Sequence, residues 1–260
     1  MTTHSTTHSA TLRPIVLVPG YWLGGWAWDD VVSRLRAHGV AARPVTLPGL
    51  ESPASPRAGV TLADHVDAVR AALDAAGEPA VLVAHSGGGS LVSAVLDLAA
   101  PQVARVVYVD SGPAADGSVP RPDLPADAVE LPLPSFAELE AGGASLDGLD
   151  DATLLRFRKR AVAHPAGPLT EPVTAPQGIG AAVPATLVCC SFPADAVRGL
   201  VASGDPMFAP VADLQDVTYV DLPTGHWPMW SRPDALADVL AEAAAREDAG
   251  SAGRQSEVQR

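Results

Sequence analysis

Cysteine is nearly missing: the 260-residue chain carries only Cys189 and Cys190, neighbours within an apolar run. Two adjacent thiols cannot staple distant segments, so a disulfide framework is excluded and both read as buried strand thiols. Lysine occurs once, at Lys159, and 17 basic residues stand against 30 acidic ones, a formal net charge of −13. That balance argues against nucleic acid and anionic membrane surfaces as partners. The single basic cluster, Arg156-Phe157-Arg158-Lys159-Arg160, reads as the solvated face of a helix. No apolar run nears the length of a membrane span, although 47% of residues are hydrophobic. Residues Met1 to Ser9 are polar, without the basic and apolar regions of a signal peptide, and a cytoplasmic protein is expected. A phosphate-binding loop is also missing, because no Gly-Lys-Ser/Thr or Gly-x-Gly-x-x-Gly accompanies the glycine cluster at Gly87-Gly88-Gly89.

What is present is an alternation of short apolar runs and amphipathic stretches. Residues 1–13 read as a disordered leader and 248–260 as a disordered tail, being polar and without periodicity. Between them the pattern predicts strands over Ile15–Val18, Val40–Leu47, Ala80–Ala84, Arg105–Val109, Ala185–Cys190 and Val217–Leu222. Helices are predicted from Trp26 to His38, from Thr61 to Gly77, from Leu91 to Leu98, from Asp195 to about Ser203, and from Pro233 to about Arg246. Thr61-x-x-Asp64 is a helix-start signature, and Pro233 is favourable at a first helical position. Strands separated by helical crossovers imply an α/β fold, a mostly parallel sheet with helices on both faces. Residues 14–110 and 184–247 form this core. The Pro- and Gly-crowded segment 111–183 breaks the rhythm. It is expected to be a helical cap, with helices near Phe136–Glu140 and Asp151–Phe157 and no strand.

The chemistry concentrates at Ala84-His85-Ser86-Gly87-Gly88. An apolar strand runs into a tight turn and then a helix, with a serine at the apex, which is the layout of a nucleophile elbow. Small residues at Ala84 and Gly88 let strand and helix approach, and the helix N-terminus points its amides at charge forming near Ser86. In a parallel sheet, ligands sit outside the carboxyl ends of the strands. Pro19-Gly20, Ser86 and Asp110 all fall at that edge, and Gly225-His226 follows the last strand.

Taken together, three motifs resemble the α/β-hydrolase superfamily, and within it the small esterase and hydroxynitrile-lyase branch that includes plant methyl-esterases. They are Val18-Pro19-Gly20-Tyr21-Trp22-Leu23-Gly24-Gly25-Trp26-Ala27-Trp28, the Ser86 elbow, and Gly225-His226. The first is similar to the branch's His-Gly-x-x-x-Gly-x-Trp-x-Trp signature, with Pro19 in place of the histidine. The resemblance implies a serine hydrolase of a carboxylic ester or lactone of an uncharged small molecule, working through an acyl-enzyme. Ser86 is then the nucleophile and His226 its base, with the amides of Tyr21 and Gly87 as the oxyanion hole. For the acid, the family's usual position falls near Phe192 or Pro193, which cannot orient an imidazole. Asp110, at the end of the Arg105–Val109 strand, is favoured, with Asp195 as the alternative. Trp22 and Trp227 are candidates for an apolar substrate pocket, whereas Met229 and Trp230 read as core. No cofactor or metal is implied, and the chain is expected to act as a monomer or homodimer on a small molecule. Two other readings stay open: a cofactor-free lyase on the same scaffold, and a non-enzymatic small-molecule receptor. A cyanogenic lyase would carry lysine after the histidine, where this chain has Trp227.

Overall fold

The apolar runs become six parallel strands because each crossover between them is long enough for a helix. The computed structural model describes residues 12–176 and 180–245. Most of the expected leader and all of the expected tail lie outside the described residues. The strands are β1 (Ile15–Val18), β2 (Ala42–Pro44), β3 (Ala80–His85), β4 (Val103–Val109), and, after two short strands described below, Ala185–Cys189 and Val217–Asp221. β2 is shorter than the Val40–Leu47 predicted. Val40 instead donates to Leu35 O to close the preceding helix, and Pro44, lacking an N–H, ends an edge strand.

The helices of the core are α1 (Asp29–Ala37), α2 (Leu62–Asp74), α3 (Gly88–Ala99), and further on Ala194–Ser203 and Pro233–Ala245. The first begins later than predicted, because Gly25–Trp28 forms a separate tight turn of 3-10 helix ahead of it. Thr61 and Asp64 form a reciprocal capping box at the start of α2, as the Thr-x-x-acid spacing predicts. Helices pack on both faces of the sheet. Val16, Leu82 and Tyr108 face Val66 and Val69 of α2 and Val92 and Val95 of α3, whereas Ile15, Leu17, Val83 and Val107 face Val31 and Leu35 of α1. A strand points successive side chains to opposite faces, so the unbroken apolar runs serve two cores. Each fully buried Val or Leu contributes about 1.5–3 kcal/mol.

Between β4 and the Ala185–Cys189 strand, the chain forms a two-stranded antiparallel ribbon, β5 (Glu130–Leu131) with β6 (His164–Pro165). The expectation of no strand here is corrected; two-residue strands are too short to leave an alternating pattern. Around the ribbon lie α4 (Phe136–Ala141), α5 (Asp151–Arg160) and α6 (Gly167–Thr170). The later core elements are then β7 (Ala185–Cys189), α7 (Ala194–Ser203), α8 (Ala209–Ala212), β8 (Val217–Asp221), α9 (Pro228–Ser231) and α10 (Pro233–Ala245). The sheet order is β2-β1-β3-β4-β7-β8. The register pairs Val18 with Ala84, His85 with Val109 and Val109 with Val188, which aligns the carboxyl ends of β1, β3, β4 and β7 along one edge.

Arg158, Lys159 and Arg160 of α5 are exposed, as expected of a solvated helix face, and the arginines of this helix are also paired. Arg156 and Arg160 pair with Asp30 and Asp29 and lie over the rings of Trp230 and Trp26. Arg158 lies over Phe136. Flat guanidinium groups gain from both contacts. Among the described residues, no helix is long and apolar enough to cross a membrane.

Candidate active site

Among the described residues, three non-glycine residues have positive φ: Trp22 (64°), Ser86 (51°) and Asp110 (44°). Side chains other than glycine enter that region at a cost, and such strain clusters at functional sites. All three sit at the carboxyl edge of neighbouring strands, after β1, β3 and β4.

Ser86 is held by its backbone. Its N–H donates to Val109 O (3.2 Å), and its carbonyl accepts from Gly89 N (3.0 Å) and Ser111 Oγ (2.5 Å). The glycines around it are set by close approach. A Cβ on Gly88 would come to 3.0 Å from Pro19 O, and one on Gly20 to 2.9 Å from His85 Nδ1. At Gly87 a Cβ would run into the Tyr21 ring.

The Ser86 hydroxyl is joined to His226, whose Nε2 lies 2.8 Å from Ser86 Oγ, and His226 Nδ1 lies 2.6 Å from Asp110 Oδ2. Asp110 also accepts from Ser191 Oγ (2.6 Å), Ser191 N (2.8 Å) and Cys190 N (3.3 Å). A proton on His226 Nδ1 satisfies the carboxylate and leaves Nε2 as an acceptor for the serine hydroxyl. Burial alone would raise the Asp110 carboxyl, but the hydrogen bonds from His226 and Ser191 outweigh it and hold it at about 2. Asp195, the alternative, is not brought to this site. It lies in the first turn of α7 with its side chain 95% exposed, paired with Arg198.

The depressed Asp110 pKa links the site to stability. Relative to an ordinary value of 3.8, it corresponds to about 2 kcal/mol. Because the folded value is the lower one, this contribution is complete above about pH 4 and lost as pH falls towards 2. The gap in unfolding free energy between the wild type and Asp110→Asn should therefore narrow over that range in denaturant titrations. A gap constant from pH 5 to 2 would contradict the assignment.

His226 is fixed from three sides. Its N–H donates to Ser145 O (2.8 Å), its carbonyl accepts from His85 Nε2 (2.7 Å), and the Trp227 ring stands edge-on to its imidazole at 4.9 Å. Burial, with His226 beside it, pushes the His85 imidazole down to about 3, so it stays a neutral donor at Nε2. Gly225 has no room for a side chain, since a Cβ would lie 2.7 Å from Asp147 N, Asp147 O and Ser145 O. Gly225→Ala should lower stability by about 1–3 kcal/mol and displace His226; unchanged unfolding by calorimetry would contradict that packing.

The amides of Tyr21 and Gly87 donate no hydrogen bond within the described residues. They lie on neighbouring turns, with the Tyr21 ring over Gly87. A cavity of about 360 Å³ opens on Ser86, Asp110 and His226 and is walled by Phe192, Val197, Met207, Phe208 and Val211. A second, tighter space of about 20 Å³ lies beside Tyr21, Gly87, His65 and His164, room for little more than one water. Neither Trp22 nor Trp227 lines these cavities, which corrects the expected pocket. Both are buried in the core, Trp227 between His226 and Phe157, because large rings bury more area in packing than at a solvent-filled wall. Met229 and Trp230 are core, as expected. Reading the sequence missed Ser191, His85 and the Phe192–Val211 wall. The serine just past β7 was the one available signal. Among the described residues there is no group of three or more His, Cys, Asp or Glu side chains able to hold a metal.

A central parallel sheet, a strained serine between strand and helix, and a histidine after the last strand are shared by one family. Residues 15–239 match the alpha/beta hydrolase family, and the chain belongs to it. Over 247 residues it is 27% identical to a probable hydrolase R7 of Phoma sp., covering 88% of this chain and 97% of that one. A 98-residue stretch is 35% identical to the carbendazim hydrolyzing esterase of Nocardioides sp., 37% of this chain and 40% of that relative's length. The chain thus matches less than half of that esterase. Among solved structures, an extracellular alpha/beta-hydrolase from a Paenibacillus species, described as homologous in structure and function to tobacco salicylic acid binding protein 2, superposes with a TM-score of 0.67. It is 21% identical and covers 90% of this chain and 100% of its own. That likeness is one of fold.

Proposed function

We propose that this protein is a serine hydrolase that cleaves a carboxylic ester or lactone of an uncharged small molecule through an acyl-enzyme. The observation that carries the reading is the unbroken chain Ser86 Oγ–His226 Nε2 and His226 Nδ1–Asp110 Oδ2, beside two amides that meet no acceptor among the described residues. In this mechanism Ser86 Oγ attacks the carbonyl carbon as its proton passes to His226 Nε2, and Asp110 steadies the imidazolium. The amides of Tyr21 and Gly87 hold the oxyanion. Its collapse breaks the ester bond, and the departing alkoxide takes the proton from His226. Water then attacks the acyl carbon, gives a proton to His226, and Ser86 leaves with that proton as the acid is released.

The apolar wall of the cavity supports an uncharged substrate, because Asp110, the one carboxylate among the described residues lining it, already accepts from His226, Ser191 and Cys190. Residues 111–183 serve as the cap. In support, Gly143 lines the cavity and Ser145 accepts from the His226 amide. The test is hydrolysis of a panel of p-nitrophenyl esters and simple lactones by wild type and Ser86→Ala, each checked for folding. Turnover that vanishes with Ser86 supports the reading, and turnover equal in both proteins overturns it.

A further inference from the structure

The third strained residue, Trp22, is not in the Ser–His–Asp chain, yet it directly follows Tyr21, whose amide is one of the two donors that meet no acceptor among the described residues. Gly20 to Leu23 form a four-residue turn closed by Leu23 N to Gly20 O (3.4 Å). Trp22 takes its third position, where positive φ is normally supplied by glycine. A tryptophan there persists only if its surroundings over-determine it. Three hydrogen bonds do so, and all come from the segment between β4 and β7. Trp22 O accepts from Val162 N (2.9 Å), the indole Nε1–H donates to Leu131 O (3.0 Å), and Trp22 N–H donates to His164 Nδ1 (3.4 Å).

Leu131 and His164 face each other across the β5–β6 ribbon, so one small structure grips backbone and side chain of one residue. The ribbon is itself tied to the core. Glu130 pairs with Arg57, and a Cβ on Gly49 would lie 2.6 Å from Pro165 Cγ. His164 is 4% exposed. Its ring lies 5.1 Å from the Tyr21 ring and 5.5 Å from that of His65. His65 is turned away, with Nε2 on Pro48 O at 2.9 Å. Burial, and then the neighbouring His65, holds the His164 imidazole down at about 3. A neutral ring with its proton on Nε2 presents a bare Nδ1 to the Trp22 amide.

We infer that the β5–β6 ribbon is a clamp on the Gly20–Leu23 turn, and that His164 is a positioning residue that aims the Tyr21 amide at the oxyanion. The inference rests on the serine-hydrolase reading above. A donor displaced by a fraction of an ångström still lets substrate bind but stabilises the tetrahedral intermediate less, so the effect falls on kcat.

The experiment measures kcat and KM for p-nitrophenyl acetate in wild type, His164→Leu and His164→Asn, with thermal unfolding of each. Leucine keeps the bulk and removes the acceptor, whereas asparagine puts Oδ1 near the place of Nδ1. The clamp predicts that His164→Leu lowers kcat roughly 10–100-fold with KM within about twofold, and that His164→Asn stays within about threefold of wild type. A trifluoromethyl ketone, which mimics the tetrahedral adduct, should lose affinity for His164→Leu by the same factor as kcat. If His164→Leu fails to fold, Trp22→Phe removes the indole bond to Leu131 alone and should likewise lower kcat without raising KM. An unchanged kcat, a loss confined to KM, or an asparagine variant as impaired as leucine overturns the clamp while leaving hydrolysis intact. A wild type without turnover defeats the hydrolase reading, and the clamp with it.

Discussion

Ser86→Ala is expected to lower ester turnover by roughly 10⁴–10⁶-fold, with KM changed little. In the proposed mechanism, alanine deletes the atom that forms the acyl-enzyme. The amides of Tyr21 and Gly87 and the apolar cavity remain, so substrate still binds and a residual rate above that in water persists. Folding should be unaffected. The contacts that fix residue 86 are its own N–H to Val109 O and its carbonyl to Gly89 N and Ser111 Oγ, none of which uses the hydroxyl. Alanine meets the same cost as serine at a φ of 51°. A turnover loss accompanied by cooperative unfolding at the wild-type temperature assigns the loss to chemistry. A variant within tenfold of wild type would remove Ser86 from the mechanism.

Asp110→Asn should lower kcat by about 10³–10⁴-fold. The carboxamide oxygen can still accept from Cys190 N and Ser191 N, but its NH₂ would then face His226 Nδ1. To accept from it, the imidazole must carry its proton on Nε2, which turns a hydrogen toward Ser86 and leaves no base. The loss is thus one of tautomer rather than of shape. Asp195→Asn is the control, expected to stay within about twofold because surface pairs such as Asp195–Arg198 contribute little. If Asp195→Asn fell and Asp110→Asn did not, the acid would have been assigned to the wrong strand.

The alternation of apolar runs made the parallel core legible, since strands buried on both faces need nothing but Val, Ile, Leu and Ala. Ser86 and His226 were legible as motifs, one in a glycine-flanked turn and the other after the last strand. The choice between Asp110 and Asp195 required three dimensions. Asp110 ends β4, which lies beside β7 in the sheet, and that neighbourhood brings Ser191 against its carboxylate. Asp195 is closer to His226 in sequence but begins a helix that carries it to the surface. His85 on the His226 carbonyl and His164 on the Trp22 amide join residues 141 and 142 positions apart, and no local pattern records such contacts. The cavity wall was misread for a related reason. Trp22 and Trp227 flank the motifs in sequence but pack inward. Met207 and Phe208, by contrast, sit in a short irregular stretch between α7 and α8 with no periodicity to mark it.

The most direct test of the central claim is covalent. Treatment with a fluorophosphonate, followed by intact mass measurement and peptide mapping, asks which atom of the folded protein is the nucleophile. One adduct per chain on the peptide containing Ser86, absent from Ser86→Ala and strongly slowed in Asp110→Asn, is the result predicted here. No adduct on folded wild type, or an adduct at another residue, would contradict it.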